Sequence, residues 1–281
     1  MIKKILSLTA LAMVVGVAQA DQDLRLVLPM SPGGGTGTMS KFVEQHLEEN
    51  GYNVDLQIVG NVANAKRIYQ DPSDVPTIVA WENGYLLEEG HIGNIGAPSS
   101  EDFFNVWFWA PYYACSVDGY DDILTADANL GLNPHPSFPQ WFVDAIVEEN
   151  PGINPITYPS SAEIKTALVS GEIDLTISDR ALAWQNEGLV NCQYNTSTEN
   201  ASGLPPLGKA MGQDGLGFSL VVYSFALNMD SETIASVRED FQSALRSEQV
   251  VKFFNGRGAD QTVMQKTGSE QLDFLNSTLG N

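Results

Sequence analysis

The chain has 281 residues, with 14 basic and 35 acidic side chains and a formal net charge of −21 at neutral pH. A surface this acidic repels nucleic-acid phosphates and anionic lipid headgroups, which argues against binding to nucleic acid or to a membrane surface. The length is sufficient for one large domain or for two lobes of medium size.

The first twenty residues have the three-part pattern of a cleavable secretory signal peptide. Residues 1–4 are basic, residues 5–17 are apolar, and Ala18-Gln19-Ala20 provides small residues at a cleavage site. The apolar run is shorter than the ~20 residues of a membrane-spanning helix, and no other stretch of the sequence approaches that length. We therefore expect residues 1–20 to be removed, which leaves a periplasmic protein with a formal charge of −23.

The sequence contains two cysteines, Cys115 and Cys192. In an oxidising compartment a single pair indicates one disulfide, and the alternative is two buried thiols. Neither cysteine belongs to a C-x-x-C motif or has the spacing of metal ligands. We therefore expect no redox function, no metal and no cofactor.

Strands and helices alternate along the first part of the chain. Residues 24–28, 54–59 and 77–81 have the composition of strands. Between the first two strands, apolar residues recur with helical spacing from Met39 to Leu47, and residues 61–69 predict a second helix. Such alternation predicts a parallel sheet with helices on its faces.

A second α/β block follows an aromatic-rich segment at residues 103–113, which we interpret mainly as core. The predicted strands of this block are residues 128–132, 156–158 and 173–177, and its predicted helices are residues 137–149 and 161–169. Further helices are predicted at residues 233–245 and 271–279. Since no flexible linker separates the blocks, we expect two lobes joined by strands.

The strongest functional signal lies in the strand–loop–helix at residues 26–50. Glycine allows the backbone to approach a ligand closely, and the start of a helix presents unpaired N–H groups and the positive end of the helix dipole. These features predict an anion site that needs no lysine or arginine. Hydroxyls in the loop can cap the helix or bind the ligand. The residues predicted to form this site are Ser31, Gly33, Gly34, Gly35, Thr36, Gly37 and Thr38.

Two nucleotide-binding alternatives are not supported by this loop. A dinucleotide-binding fold requires G-x-G-x-x-G, and a P-loop requires Gly-Lys-Ser or Gly-Lys-Thr; neither occurs here. A flexible surface turn remains the alternative to an anion site.

Further candidate ligand-binding residues follow other predicted strands, at the edge where open α/β sheets bind ligands. Glu82 can hold an ammonium group, and Trp81 can form a wall of the pocket or belong to the core. His135 can bind the ligand or lie in a solvated loop, and Ser137 can cap the helix that follows. The full set is Trp81, Glu82, Asn133, His135, Ser137, Ser160 and Asp179.

No set of residues typical of an enzyme is visible. The sequence lacks G-x-S-x-G and H-E-x-x-H, and its three histidines are widely separated. We therefore expect a binding protein without catalytic residues. The alternatives are a ligand-sensing module of a signalling receptor and a secreted hydrolase.

Residues 27–37, Val-Leu-Pro-Met-Ser-Pro-Gly-Gly-Gly-Thr-Gly, resemble the V-V-P-F-x-P-G-G-x-T-D signature of the tripartite tricarboxylate transporter substrate-binding proteins, the TctC or Bug family. Residues 167–175 resemble the A-L-L-G-G-Q-V-D-L block of that family, and residues 204–210 resemble its V-P-T-V-A-E-A block. Residues 225–254 follow its C-terminal pattern, so the resemblance covers essentially the whole mature chain. The sequence departs from the family at Met30, at Gly37 and in the 133–137 loop.

The resemblance implies a type II periplasmic-binding-protein fold, an α/β fold with a ligand cleft between two lobes. Lobe 1 is expected at residues 21–108 plus 224–281, and lobe 2 at residues 109–223, with hinges near 108–109 and 223–224. The implied ligand is a small carboxylate, bound by a monomer between the 31–38 and 133–137 loops. The implied partners are membrane transporter subunits.

Overall fold

The computed structural model describes residues 22–60, 64, 67, 74–84, 103–117, 122–125, 127–133, 138–178, 190–255, 269–271 and 273. The expected signal peptide and most of the helices expected at residues 61–69 and 271–279 lie outside the described residues. The candidate site residues His135, Ser137 and Asp179 lie outside them as well. No helix within the described ranges is long and apolar enough to cross a membrane.

Within these ranges the chain forms ten named strands and six named helices. The strands are β1 (Gln22–Leu28), β2 (Tyr52–Ile58), β3 (Thr77–Glu82), β4 (Phe103–Pro111), β5 (Tyr113–Val117), β6 (Ala128–Leu132), β7 (Ile153–Thr157), β8 (Leu175–Ser178), β9 (Val190–Asn195) and β10 (Ser219–Leu227). The helices are α1 (Gly35–Glu49), α2 (Gln140–Glu149), α3 (Ser161–Ser170), α4 (Leu207–Ala210), α5 (Ser231–Leu245) and α6 (Glu248–Asn255).

The strands form two five-stranded mixed sheets. The first has the order β2-β1-β3-β10-β4, in which β1 pairs in parallel with β2 and β3, and β10 is antiparallel to both of its neighbours. The second has the order β7-β6-β8-β5-β9, in which β6 pairs in parallel with β7 and β8. In each sheet a central strand and its parallel neighbours therefore end at one edge, where ligands bind in open α/β sheets.

Apolar faces of the helices cover the sheets. Met39, Val43 and Leu47 of α1 are fully buried, and they recur every four residues because that spacing returns side chains to one face of a helix. Phe241 of α5 packs edge-on against Phe104 and Trp107 of β4, with ring centroids 5.4 and 5.1 Å apart. The aromatic segment of residues 103–113 therefore belongs to the core, as its composition predicted.

The chain passes between the two sheets at a buried hydrogen-bonded crossing. Tyr112 alone separates β4 from β5, and its N–H donates to Thr196 Oγ1 while the Thr196 N–H donates to Tyr112 O, both at 2.9 Å. Thr196 Oγ1 donates to Phe218 O at 2.7 Å, and the Phe218 N–H donates to Thr196 O at 2.6 Å. Thr196 is fully buried. Both connections between the sheets are thus bonded to one residue.

The hinge positions expected at residues 108–109 and 223–224 fall inside β4 and β10. These strands pair from Phe103 to Pro111 and from Ser219 to Phe225, and they continue through two register shifts. The shifts interrupt the alternation of buried side chains that would mark one continuous strand in the sequence. The structure places the change of sheet at Tyr112 and within residues 196–218, whereas the lobe boundaries themselves stay a prediction.

Two predicted element boundaries were wrong. Helix α2 begins at Gln140, three residues later than predicted, with Pro139 as its N-cap and no side-chain cap. Strand β7 begins three residues earlier than predicted, at Ile153. Pro155 obscured it in the sequence, but proline is tolerated there because β7 is an edge strand.

The predicted disulfide is confirmed. Cys115 of β5 and Cys192 of β9 are directly paired across neighbouring strands, and their Cα atoms lie 3.9 Å apart. The bond closes a loop over a sequence separation of 77 residues. It therefore restricts the unfolded chain over much of the second sheet.

Removing this bond is expected to destabilise the protein. For a loop of this length the chain-entropy relation gives about 4 kcal/mol, so the Cys115→Ser/Cys192→Ser variant should unfold at a clearly lower denaturant concentration. Denaturant titration followed by circular dichroism measures the difference. A loss below about 1 kcal/mol would show that the bond does not restrict the unfolded ensemble as proposed.

A buried tyrosine connects the edge of the first sheet to α5. Tyr52 Oη donates to Asp240 Oδ2 at 2.6 Å, and burial together with this carboxylate raises the pKa of Tyr52 to about 12. Because the folded pKa exceeds the usual value near 10, the folded state holds the phenol proton more tightly than the unfolded state. The resulting stabilisation is complete below pH 10 and is lost as the pH rises towards 12.

We therefore expect the free energy of unfolding to fall more steeply between pH 10 and 12 in the wild type than in Tyr52→Phe. Phenylalanine fills the same space and has no proton to lose, so the difference between the two proteins isolates this group. Urea titrations at several alkaline pH values measure the slope. Equal slopes would mean that Tyr52 does not titrate differently in the folded state.

Candidate functional site

The glycine run forms the beginning of α1. Gly34 is the N-cap, with φ −75° and ψ 170°, and its N–H donates to Ser31 O at 3.0 Å. Thr38 is the first residue whose N–H donates along the helix, to Gly34 O at 3.0 Å. Within the described part of the chain, the N–H groups of Gly35, Thr36 and Gly37 have no acceptor. Three donors at the positive end of a 15-residue helix are therefore available to an anion.

No side chain caps this helix. Thr36 and Thr38 were expected either to cap it or to bind the ligand; the Thr38 hydroxyl does not cap it, because it donates to Gly34 O at 3.1 Å. Thr36 is 5% exposed, and no side-chain cap involves it either. Since the N-cap is glycine, which has no side-chain acceptor, the sequence leaves the first turn open.

Gly37 is needed because the loop folds tightly back on the helix. A Cβ at Gly37 would lie 2.7 Å from Ser31 O and 3.0 Å from Pro32 O, which are closer than real Cβ contacts. A Cβ at Gly34 would lie 3.3 Å from Ser31 O, which is tight but closer to an ordinary contact. The TctC and Bug signature has aspartate at the position of Gly37, and this loop conformation excludes any side chain there.

Across from the glycine loop lies the first turn of α3, a helix of the second sheet. A Cβ at Gly33 would lie 3.8 Å from Ala162 Cβ, which is van der Waals contact. The N–H groups of Ser161 and Ala162 have no acceptor among the described residues. The beginnings of α1 and α3 thus meet, and we call them together the paired helix N-termini (residues 33–37 and 160–162).

Ser160 holds the beginning of α3 in place. It is the N-cap and is 5% exposed; its Oγ accepts from the Glu163 N–H and donates to Glu163 Oε1, both at 3.3 Å. The N-cap bond satisfies one of the free N–H groups of the first turn of α3. The Ser160-Ser161-Ala162-Glu163 pattern predicts a helix start at this position, and Ala162 was not among the residues expected at the site.

The paired helix N-termini present backbone N–H groups without any basic side chain. Residues 31–38 and 160–162 contain no lysine, arginine or histidine, and the protein as a whole carries a formal charge of −21. The positive potential available here is that of oriented backbone N–H groups and helix dipoles, which act only over the first turn. No group of three or more metal-ligating side chains is found in the described residues.

Trp81 and Glu82 end β3, at the same sheet edge as the glycine loop. Both are largely buried, at 3% and 7% exposure, and they pair with Tyr223 and Val222 of β10. Since β1 and β3 are parallel neighbours, Glu82 lies on the edge from which the glycine loop leaves. The structure thus places both residues near the loop, and their contact with a ligand stays a prediction.

Two polar side chains end parallel strands of the second sheet. Asn133 follows β6, and its Oδ1 is buried without a hydrogen-bond partner. Ser178 ends β8 at 1% exposure, and its Oγ is also buried without a partner. Sequence analysis named the next residue, Asp179, and missed Ser178, although the end of the predicted strand could have indicated it. The predicted contact between the 31–38 and 133–137 loops lies mostly outside the described residues.

The tight fold of the loop predicts that alanine destabilises the protein at Gly37 and not at Gly33. Gly37→Ala should lower the free energy of unfolding by about 1–3 kcal/mol, because its Cβ meets backbone oxygens that cannot move independently. Gly33→Ala, the matched control, should change it by less than about 0.5 kcal/mol. Denaturant titration of both variants checks this. Equal stabilities would contradict the loop geometry.

No protein-family model and no curated protein matches this chain. Solved structures do match over most of it, at low sequence identity. The periplasmic binding protein BugD has 15% identity and a TM-score of 0.68, and the match covers 92% of this chain and 98% of that chain. MatC from Rhodopseudomonas palustris with bound malate has 14% identity and a TM-score of 0.68, covering 92% and 97%.

A second R. palustris protein, solved with adipate, has 16% identity and a TM-score of 0.67, with coverage of 92% and 97%. At such identity the likeness concerns the fold. It agrees with the two mixed sheets, whose strand orders are equivalent. The chain therefore has the two-lobed α/β fold of the Bug- and TctC-type periplasmic binding proteins, as its sequence predicted.

Proposed function

We propose that this chain is a non-enzymatic solute-binding protein that captures a small carboxylate between its two lobes. The observation that carries the proposal is the pair of helix N-termini, which offer five unpaired N–H groups from helices on different sheets. A Cβ placed on Gly33 would lie 3.8 Å from Ala162 Cβ, so the two helix starts are neighbours and one anionic group can reach both. A carboxylate has two oxygens that each accept more than one hydrogen bond, which suits such a set of donors.

Binding by two lobes couples ligand capture to closure. The ligand receives donors from α1 and from α3 only when the two helix starts are together, so it stabilises the closed arrangement. Because backbone donors are already oriented by their helices, little conformational entropy is lost when the anion binds. The acidic surface repels anions at long range, and the site itself attracts them at short range.

The relatives of known structure support a carboxylate as the ligand class. Two of them are described with malate and adipate, both small dicarboxylates. In this chain the remainder of the ligand would contact polar residues at the ends of strands. Those that we propose are Trp81, Glu82, Asn133, His135, Ser137, Ser160, Ser178 and Asp179.

The descriptions of the similar structures also support a periplasmic location and a transporter as the partner. They include periplasmic binding proteins and a periplasmic transporter. We accordingly place this protein in the periplasm, as a monomer that delivers its ligand to membrane subunits of a tripartite-tricarboxylate-type transporter. Residues 21–108 with 224–281 and residues 109–223 are the proposed lobes.

A thermal-shift screen tests the ligand class. Malate, adipate, tricarboxylates, acidic amino acids and aromatic acids are compared with their methyl esters, which keep the shape and lack the charge. A ligand at a hundredfold excess over its Kd should stabilise the protein by about 2.7 kcal/mol, seen as a higher Tm. Stabilisation by esters as strong as by acids, or by uncharged solutes only, would refute carboxylate binding.

Gly34→Val tests the site. The φ of −75° accepts a side chain, so the fold should survive, while the branched side chain should obstruct the first turn of α1 and raise the Kd at least tenfold. Thr166→Val on the exposed face of α3 is the control and should bind normally. Calorimetric titration with the best acid measures both. An unchanged Kd in a folded Gly34→Val variant would mean that the anion does not bind at the start of α1.

A further inference from the structure

A groove lies on the outer side of the second sheet, between α2 and the edge strand β7. It encloses a cavity of about 580 Å³. Its apolar wall is formed by Val143 and Val147 of α2, by Phe138 before that helix, and by Pro155 of β7. We call it the α2–β7 groove. A cavity of this size accommodates several side chains of a binding partner.

The charged side chains that line the groove are negative. Among its described lining residues, the ionisable side chains are Asp144 and Glu148, which are exposed and lie one turn apart on α2. Asn133 Oδ1, at one end of the groove, is a buried acceptor without a donor. Gln140 Nε2 donates to Asp144 Oδ1 at 2.8 Å, so it leaves the second carboxylate oxygen available. These groups favour an occupant that brings hydrogen-bond donors and positive charge.

An exposed tryptophan lies beside the acidic rim. Trp141 of α2 is 48% exposed, and with Val169 it is one of two large apolar side chains exposed in the described ranges. It precedes Asp144 by three residues and therefore lies next to it on the helix surface. Tryptophan is enriched among the residues that dominate binding energy at protein interfaces. The groove thus has an apolar wall and an acidic rim, and the exposed Trp141 lies next to that rim, outside the lining residues.

We propose that the α2–β7 groove docks a partner protein through an amphipathic segment carrying lysine or arginine. Charge complementarity selects this occupant: a second copy of the chain would bring another −21 to an acidic groove. Addition of an extended strand to β7 is opposed by Pro155, which has no N–H to donate. The groove contains none of the paired helix N-termini (residues 33–37 and 160–162), and it shares Asn133 with the residues proposed to contact the ligand.

The probe is a twelve-residue helical peptide of leucine and lysine, compared with the same peptide in which glutamate replaces lysine. Fluorescence anisotropy at 0.15 M salt gives the Kd. We expect saturable one-to-one binding of the lysine peptide, and a Kd at least tenfold higher for Asp144→Asn/Glu148→Gln and for Trp141→Ala. Both sites are exposed, so these substitutions should leave the fold intact, and circular dichroism checks it.

The control variant is Glu44→Gln/Glu48→Gln, which removes two negative charges from neighbouring turns of α1. Its net charge therefore equals that of Asp144→Asn/Glu148→Gln. It should bind the lysine peptide with unchanged Kd. An equal loss in both double variants would show attraction to the overall charge and would overturn the proposal. So would an unchanged Kd in Trp141→Ala, or binding of benzylammonium as tight as that of the peptide, which would indicate a site for small cations.

Discussion

The hydrogen bonds that Thr196 makes to Tyr112 and Phe218 connect the two sheets of this protein. They join the only two described passages between the sheets at one buried residue, so the sheets have a common fixed point. Rings of Tyr112, Phe138 and Phe218 pack around it with centroids 5.6 to 6.1 Å apart. Because buried backbone groups must be paired, this arrangement constrains which strand ends can face each other.

Anion binding in a strongly acidic protein requires that attraction be local. A lysine in the cleft would be available to the many surrounding carboxylates, whereas an unpaired N–H at a helix start cannot move towards a competitor. The glycine run provides such donors by removing side-chain caps, and Gly37 allows the loop to turn sharply onto its helix. The same sequence feature therefore serves the fold and the site. It also explains why aspartate is absent at that position.

The sequence predicted the alternating elements, the disulfide and the start of α1 at the glycine loop, because each depends on local patterns, whereas anion binding by that loop stays a prediction. Glycine, helical periodicity and cysteine pairing in an oxidising compartment are such patterns. It did not predict where the chain changes sheet, since β4 and β10 contain register shifts that hide their continuity. It also did not predict that α3 lies opposite the loop. Gly33 and Ala162 belong to elements of different sheets, and no local pattern encodes that they are neighbours.

Tyr112 is the whole connection between β4 and β5. A peptide chain bends only at φ and ψ, so along this passage any rotation of one sheet against the other is concentrated in a single residue. Its ring is 5% exposed and lies between Phe138 and Phe218. A rotation of one sheet against the other along this passage would therefore require the three rings to slide over one another, so their size and packing oppose it.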